Sequence, residues 1–235
     1  MTMRYQALAC DYDGTLATEG VVDPSTICAL EELGAAGYRL LLVTGRQVGD
    51  LEPRFPRLGL FARIVAENGA VLVCPATRER RFLAARPADA FVQRLRARGV
   101  TEVSVGDVVV AMSTPHQAEA LETIREMGLD LHVILNREAV MVLPSSVDKR
   151  SGLQEALADL GLSFEDCVGV GDAENDLAFL TSCALGVAVG NALPSLKRAV
   201  DLVTVESRGA GVEELVRRLL AEAPAAADAA RPLRA

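Results

Sequence analysis

Two aspartates stand two residues apart at the end of an apolar run near the start of the chain. Asp11 and Asp13 close the run that begins at Ala7, and Gly14 follows them directly. Side chains two apart on an extended strand point to the same face, so both carboxylates can reach one reacting centre. One carboxylate can then attack phosphorus as a nucleophile while the other moves a proton. An ordinary Asp-Gly turn explains the same residues, and this pair alone leaves both interpretations open.

Lysine is scarce in a chain whose basic residues are otherwise arginine. Among 24 basic residues only Lys149 and Lys197 are lysine. An ammonium is a compact point charge with rotatable donors, whereas a guanidinium is a planar fork, so the two groups suit different tasks. Lys149 is therefore a candidate functional residue, and an unremarkable surface lysine is the alternative.

Composition excludes several classes of protein. The net charge of −8, with 4% aromatic residues and no basic stripe, argues against a nucleic-acid partner. Half of the residues are hydrophobic, yet no apolar run approaches the roughly 20 residues of a membrane span. The five cysteines form no C-x-x-C pair, and no secretory signal precedes the first strand-like segment. We therefore expect a reduced, cytoplasmic protein without a membrane partner.

Strand-like and helix-like segments alternate at both ends of the chain and change rhythm in the middle. Residues 1–75 and 144–222 predict βαβ units and a doubly wound, mostly parallel sheet of the α/β class. They include a helix predicted over 48–58. Residues 76–143 repeat the order helix, hairpin, which predicts an inserted α+β cap domain. Residues 223–235 are rich in Ala and Pro and are expected to form a flexible tail.

Four polar clusters fall at the ends of predicted strands or directly before a helix. They are Asp11 with Asp13, Thr44-Gly45-Arg46, Lys149, and the run from Gly171 to Asp176. The carboxyl ends of strands in a doubly wound sheet meet at one crevice, so clusters remote in sequence can meet there.

The chemistry of these clusters is complementary. Asp11, Asp172 and Asp176 offer the hard oxygen ligands that suit Mg²⁺. Thr44 and Lys149 offer donors to phosphoryl oxygens. Because packed carboxylates repel one another and a phosphate dianion, the acidic cluster requires a bound cation.

With these motifs the chain resembles the haloacid dehalogenase superfamily, and within it the Cof-like branch (subclass IIB) of capped phosphatases. The family motifs occur in order as Asp11-Tyr12-Asp13-Gly14-Thr15-Leu16, Thr44-Gly45-Arg46, Lys149, and Gly171-Asp172 with Asn175-Asp176. Features of the branch are Glu67-Asn68-Gly69-Ala70, Leu153 four residues after Lys149, and Gly190-Asn191-Ala192. The resemblance extends from residue 5 to about residue 220.

The resemblance implies a Mg²⁺-dependent phosphatase that hydrolyses a small phosphomonoester, such as a sugar phosphate or a phosphoglycolate-like metabolite. Asp11 would attack phosphorus and form an aspartyl-phosphate, and Asp13 would protonate the leaving oxygen and then activate water. The phosphate-binding residues would be Thr44, Gly45, Lys149 and Asn175. The metal-binding residues would be Asp11, Asp13 through its main-chain carbonyl, and Asp172. Asp176 would act around the metal without binding it directly, by contacting these ligands.

Two other functions use similar residues. A phosphomutase on the same fold would return the phosphoryl group to a sugar instead of to water. A phospho-accepting signalling domain also carries Asp, Thr and Lys, but Asp13 and the inserted unit speak against it. For Arg46 we favour a salt bridge across the mouth of the crevice over a substrate contact. The oligomeric state stays open between monomer and homodimer.

Overall fold

The structure is a computed structural model that describes residues 4–136 and 139–222. Its strands in chain order are β1 (Ala7–Asp11), β2 (Ala17–Thr18), β3 (Val21–Val22), β4 (Arg39–Val43), β5 (Arg63–Ala66), β6 (Val71–Cys74), β7 (Glu79–Phe82), β8 (Val103–Val105), β9 (Val110–Ser113), β10 (Leu131–Asn136), β11 (Ala139–Pro144), β12 (Cys167–Gly171), β13 (Leu185–Ala188) and β14 (Leu202–Val203). Its helices are α1 (Pro24–Ala35), α2 (Val48–Leu51), α3 (Asp89–Ala97), α4 (Gln117–Met127), α5 (Lys149–Asp159), α6 (Leu177–Leu180), α7 (Pro194–Lys197) and α8 (Arg208–Glu222). The tail expected at 223–235 lies outside the described residues.

The larger sheet has eight strands in the order β14-β13-β12-β1-β4-β5-β6-β7. From β14 to β5 all neighbours are parallel, and β6 and β7 extend the sheet as antiparallel strands. The chain proceeds from β1 to one side through β4 and β5, and returns to the other side at β12. The switch point of this doubly wound sheet therefore lies between β1 and β12, where ligands bind in such folds.

Helices cover both faces of this sheet because its central strands are apolar on both sides. On β1, Leu8 and Cys10 pack in one buried cluster and Ala7 and Ala9 in another. The first cluster includes residues of α1 and α8, and the second includes residues of α5 and α6. An uninterrupted apolar strand is what a parallel sheet covered on both faces requires.

A second sheet is antiparallel, with four strands in the order β10-β11-β9-β8. Its own buried cluster joins Phe91 and Leu95 of α3 and Ala120 of α4 with Val140 and Val142 of β11. The order helix, hairpin, helix, hairpin in the middle segment predicts this α+β unit. The predicted fold class is therefore confirmed, while the exact division into domains at 76 and 143 stays a prediction.

Three local features differ from the sequence-based expectation. The helix predicted over 48–58 ends at Leu51, because Pro53 and Pro56 lack the N–H groups that would continue it. Strand β7, in the segment assigned to the inserted unit, pairs with β6 and belongs to the larger sheet. A short hairpin of β2 and β3 between β1 and α1 was not predicted. Within the described ranges, no helix is both long and apolar enough to cross a membrane.

We predict that Gly69→Ala strongly destabilises the protein, because this glycine has a φ of +103° and an added Cβ would lie 1.8 Å from the Asp148 carbonyl oxygen. The backbone of α5 must then move away from the sheet, and we expect a loss of more than about 4 kcal/mol in the free energy of unfolding. Urea denaturation measures the loss. Gly128→Ala is the control, since its φ is +61° with nothing near the added Cβ. That variant should lose only about 1 kcal/mol, and equal losses would contradict the argument.

Candidate active site

A buried lysine lies between two carboxylates at the switch point. Lys149 is only 2% exposed, and its Nζ donates to Asp11 Oδ1 and to Asp176 Oδ1, each at 2.6 Å. Burial by itself lowers the pKa of Lys149, but the two carboxylates outweigh it and raise that pKa above its usual value. The ammonium therefore stays charged and links the end of β1 to the loop that follows β12.

The position of Lys149 is fixed by the start of α5. Asp148 is the N-cap residue, and its carboxylate accepts the backbone N–H of Ser151 at 2.7 Å. In return the hydroxyl of Ser151 accepts the N–H of Asp148 at 2.9 Å. This reciprocal capping box begins the helix at Lys149 and directs its first turn toward the sheet edge.

The loop after β12 is held by its own carboxylate. Asp176 is fully buried, and its Oδ2 accepts the backbone N–H groups of Asp172 and Ala173, both at 2.9 Å. The Asp172 carboxylate accepts the Thr15 hydroxyl at 3.2 Å. Since both oxygens of Asp176 already accept hydrogen bonds, this residue mainly positions Lys149 and Asp172.

Three carboxylates converge here against one ammonium. Oxygens of Asp11, Asp172 and Asp176 all lie within 4.8 Å of one another, and all three residues are buried. Burial and then the Asp176 charge raise the pKa of Asp11 to about 8, although Lys149 acts in the opposite direction. A set of hard oxygen donors with excess negative charge fits a small divalent cation such as Mg²⁺.

The Asp13 carboxylate forms an ion pair with an arginine. Arg46 donates through Nε at 2.6 Å and through an Nη at 2.7 Å to the two oxygens of Asp13. The guanidinium also lies over the ring of Tyr12, with its central carbon 5.5 Å from the ring centre. Hydrogen bonding to Asp13 raises the pKa of Arg46, so this partner is permanently cationic. The salt bridge of Arg46 thus joins the loop after β4 to the residue expected to move protons.

Thr44 and Gly45 form the loop between β4 and Arg46. Both residues are buried, and the Thr44 hydroxyl accepts the backbone N–H of Arg46 at 3.1 Å. The Thr44 backbone N–H donates to Val65 at 2.8 Å and its carbonyl accepts from Asn68 at 3.0 Å. The loop is therefore held from both sides, and its hydroxyl keeps a proton to donate.

Asn175 lies next to a residue that the sequence analysis did not assign to the site. Its Nδ2 donates to Asn68 Oδ1 at 3.0 Å. Its Oδ1 is buried and finds no hydrogen-bond partner among the described residues. A buried, unsatisfied amide oxygen on the acidic loop is suited to accept a hydrogen bond from a bound molecule.

A cleft of about 770 Å³ opens at Asp13, between the larger sheet and the second sheet. One wall is formed by the β2–β3 hairpin and the loop after β4, and the other by β8, β9 and the start of β11. The lining residues are Asp13, Glu19, Gly20, Arg46, residues 101–104, residues 111–113 and Ala139.

Of the predicted positions, Asp11, Lys149, Asp172 and Asp176 are in one cluster, and Asn175 lies on the same loop. Asp13 is adjacent in the chain, but its carboxylate faces the cleft. The sequence analysis assigned no site role to Glu67, whose carboxylate accepts three backbone N–H groups of the second unit. The Glu67-Asn68-Gly69 motif was visible in the sequence, but the burial of the Glu67 carboxylate and its partners were not.

This fold, with a carboxylate cluster at the switch point and a second unit over it, defines a capped α/β hydrolase. The sequence profile of the haloacid dehalogenase-like hydrolase family matches residues 8–96 and 133–216. The chain belongs to this family, which confirms the predicted superfamily and its Cof-like branch.

Known proteins agree with this assignment. A phosphoglycolate phosphatase of Methanothermobacter thermautotrophicus is 31% identical over 220 residues, covering 92% of this chain and 99% of the relative. A haloacid dehalogenase-like hydrolase from Bacteroides thetaiotaomicron has the same fold, with a TM-score of 0.77, 20% identity, and coverage of 92% and 99% of the two chains. A subclass IIB sugar phosphatase superposes with a TM-score of 0.72 at 21% identity, covering 91% and 98%.

We predict that Mg²⁺ stabilises the chelator-treated protein through the carboxylate cluster. At a concentration of 100 times Kd, binding adds about 2.7 kcal/mol, which raises Tm by about 5–10 °C in a chain of this size. Differential scanning fluorimetry measures the shift. Asp172→Asn removes a ligand and should lose most of it, whereas Glu165→Gln, at an exposed position, should keep it all. An equal shift in the two variants would place the cation elsewhere.

Proposed function

We propose that the protein is a Mg²⁺-dependent phosphatase that hydrolyses a small phosphomonoester through an aspartyl-phosphate on Asp11. The observation that supports it most directly is the contact of Lys149 with both Asp11 and Asp176, with Asp172 beside them. A nucleophilic carboxylate, a fixed ammonium and an oxygen-ligand set then surround one position for a phosphoryl group. Family membership supports a hydrolase with this arrangement.

Asp11 is the nucleophile in this proposal. One carboxylate oxygen forms the new bond to phosphorus as the bond from phosphorus to the leaving oxygen breaks. Lys149 keeps the carboxylate in place at 2.6 Å and offers its remaining N–H to a phosphoryl oxygen. The Thr44 hydroxyl, the Gly45 backbone N–H and the second N–H of the Asn175 side-chain amide would supply further donors to that group.

Asp13 moves the proton in both halves of the reaction. Its protonated form gives a proton to the leaving oxygen, and the resulting carboxylate takes one from the water that attacks the aspartyl-phosphate. The Arg46 fork holds this carboxylate at the cleft, where the leaving group must lie. Asp13 must exchange part of that contact for the leaving oxygen in order to act as an acid.

Asp11, Asp172 and the main-chain carbonyl of Asp13 would hold the cation, and Asp176 would support them through Lys149 and the backbone of the loop. The bound ion supplies positive charge that offsets the carboxylates and the phosphoryl oxygens. Burial and then the neighbouring carboxylate charges raise the pKa of Asp11, and without the cation those same charges would repel a phosphate dianion.

The leaving group is expected to occupy the cleft. Among the described residues that line it, Arg46 is the only basic one, beside the acidic Asp13, Glu19 and Glu102. A carboxylate-bearing leaving group such as glycolate would bind at Arg46, which agrees with the relative named phosphoglycolate phosphatase. Hydroxyl groups along the wall suit a polyol instead, and the volume admits a sugar phosphate. We place the substrate among small phosphorylated metabolites, with phosphoglycolate as the first to test, and a phosphomutase as the alternative.

We predict that Asp11→Asn lowers Mg²⁺-dependent phosphate release by at least about a thousandfold, because the nucleophile is lost. Release of inorganic phosphate from a metabolite panel, without any bisphosphate activator, measures it and separates a hydrolase from a mutase. Glu165→Gln is the control and should retain wild-type rates. Activity of Asp11→Asn within tenfold of wild type would contradict the covalent route.

Asp13→Asn tests the second half of the same reaction. With acetyl phosphate, whose leaving group needs no proton, this variant should still be phosphorylated but should hydrolyse slowly. Intact mass after acid quenching should then show one added phosphoryl group, absent from the double variant with Asp11→Asn.

We predict that Arg46→Met changes substrate preference as well as rate. Loss of the Arg46 guanidinium disturbs the position of Asp13 for every substrate. An anionic leaving group also loses the cation that would bind it. The ratio of kcat/KM for 2-phosphoglycolate to that for glycerol 3-phosphate should fall at least about tenfold, the value of one charged hydrogen bond. Steady-state kinetics on both substrates gives the ratio, and an unchanged ratio would restrict Arg46 to positioning Asp13.

A further inference from the structure

The turn that follows β5 has an unusual backbone. Glu67, Asn68 and Gly69 all have positive φ values, of +51°, +54° and +103°. The left-handed region costs a non-glycine residue about 1–2 kcal/mol, so two such residues in succession persist only where their surroundings hold them. Both side chains are buried, with exposures of 1% for Glu67 and 0% for Asn68. The contacts of these side chains therefore explain the turn.

The Glu67 carboxylate hydrogen-bonds to the second unit. Its Oε1 accepts the backbone N–H of Asp107 at 2.9 Å, and its Oε2 accepts those of Val108 and Val109 at 2.8 and 2.7 Å. These three residues form the bend between β8 and β9. Val108 and Val109 are at most 1% exposed, so their N–H groups have no access to water. The carboxylate thus satisfies buried donors that would otherwise each lose a hydrogen bond.

The fit at this bend is close. A Cβ added to Gly106 would lie 2.5 Å from Glu67 Oε1. Strands β8 and β9 line the cleft through residues 101–104 and 111–113. Glu67 therefore holds the tip of the hairpin that forms one wall of the cleft.

The turn of residues 67–69 also contacts the two loops that carry candidate site residues, after β4 and after β12. The backbone N–H of Glu67 donates to the Arg46 carbonyl at 3.0 Å, and that of Asn68 donates to Thr44 at 3.0 Å. The Asn68 amide accepts from Asn175 at 3.0 Å and donates to the sulfur of Met141 on β11 at 2.9 Å. A single turn is thus hydrogen-bonded to both loops of the site, to strand β11 and to the bend between β8 and β9.

We infer that Glu67 is a positioning residue that fixes the β8–β9 wall of the cleft relative to Asp13 and Arg46. Its carboxylate touches no reacting atom in the proposed mechanism; it sets where the leaving group meets the catalytic loops. The kinetic part of this inference rests on the proposed phosphatase function, whereas the structural part does not.

Hydrogen exchange of the full-length protein tests the structural part. In Glu67→Gln the amide offers one acceptor oxygen and turns an NH₂ group toward a backbone donor. Peptides covering residues 103–113 should exchange at least about tenfold faster than in wild type, which corresponds to the loss of one hydrogen bond of about 1.4 kcal/mol. Unchanged protection of these peptides would overturn the inference.

Two further variants control for general destabilisation. Glu214→Gln removes a carboxylate that accepts the backbone N–H groups of Val205 and Glu206 at 2.9 and 3.0 Å, far from the hairpin in sequence. It should leave the exchange of residues 103–113 unchanged. Gly106→Ala displaces the Glu67 carboxylate from the other side and should reproduce the Glu67→Gln exchange pattern. The double variant Glu67→Gln/Gly106→Ala should exchange little faster than either single variant, because both changes break the same contact of the Glu67 carboxylate with the bend between β8 and β9.

Kinetics test the positioning role. For p-nitrophenyl phosphate, whose leaving group is large, Glu67→Gln and Gly106→Ala should lower kcat/KM at least tenfold, mainly through KM. For acetyl phosphate, with its small leaving group, the change should stay within twofold. Two results would overturn the positioning role and leave Glu67 as a stabilising contact only. One is an equal loss of kcat/KM on both substrates, and the other is no loss of kcat/KM on either substrate despite faster hydrogen exchange. If wild type hydrolyses neither compound nor any metabolite of the panel, the proposed function fails, and the exchange data still decide whether Glu67 holds the hairpin.

Discussion

The Lys149 ammonium is enclosed by protein and lies at 2.6 Å from the carboxylates of both Asp11 and Asp176. A buried charge without a partner costs several kcal/mol, so these three groups are stable only when they meet. That condition requires β1, the start of α5 and the loop after β12 to converge at one edge of the sheet. The strand order, with β12 beside β1, and the capping box at Asp148 both serve it.

Charge compensation in the cluster remains incomplete, and this imbalance gives the site its chemistry. Three carboxylates face one ammonium, and burial together with Asp176 raises the pKa of Asp11. A divalent cation and a phosphoryl group would complete the balance together, since each makes the site more favourable for the other. The second ion pair, Arg46 with Asp13, is separate from this cluster and faces the cleft. Asp11 and Asp13, the proposed nucleophile and proton carrier, thus lie in different electrostatic environments although they are two residues apart.

Chemistry and recognition are built on different parts of the fold. The groups proposed to react follow strands of a sheet that is covered on both faces. The cleft wall comes from a hairpin of the second sheet, and the turn of Glu67–Gly69 joins the two parts. Its strained backbone is maintained because each side chain satisfies buried polar groups in a neighbouring element.

Several elements could be predicted because their signals are local. The apolar run before Asp11, the strands ending before Thr44 and Asp172, and the helix after Lys149 all appear in the structure. The helix expected at 48–58 was wrong in length, since apolar spacing was weighted above Pro53 and Pro56. Strand β7 was missed because all four of its residues are exposed, which leaves no hydrophobic alternation to detect. An exposed edge strand is defined by its hydrogen bonds to the neighbouring strand. Its own residues do not indicate which strand that neighbour is.

The sequence by itself determined which reactive groups the protein has and at which strand ends they stand. Motif spacing and the parallel-sheet rule placed Asp11, Lys149 and Asp172 in one crevice before any coordinates. Only the tertiary structure decided which partner each group contacts: Arg46 for Asp13, Asn68 for Asn175, and the hairpin backbone for Glu67. The physical reason is that periodicity along the chain reports which face of its own element a residue occupies. A hydrogen bond between elements depends on register, loop path and packing distance, which are fixed only when the whole chain has folded.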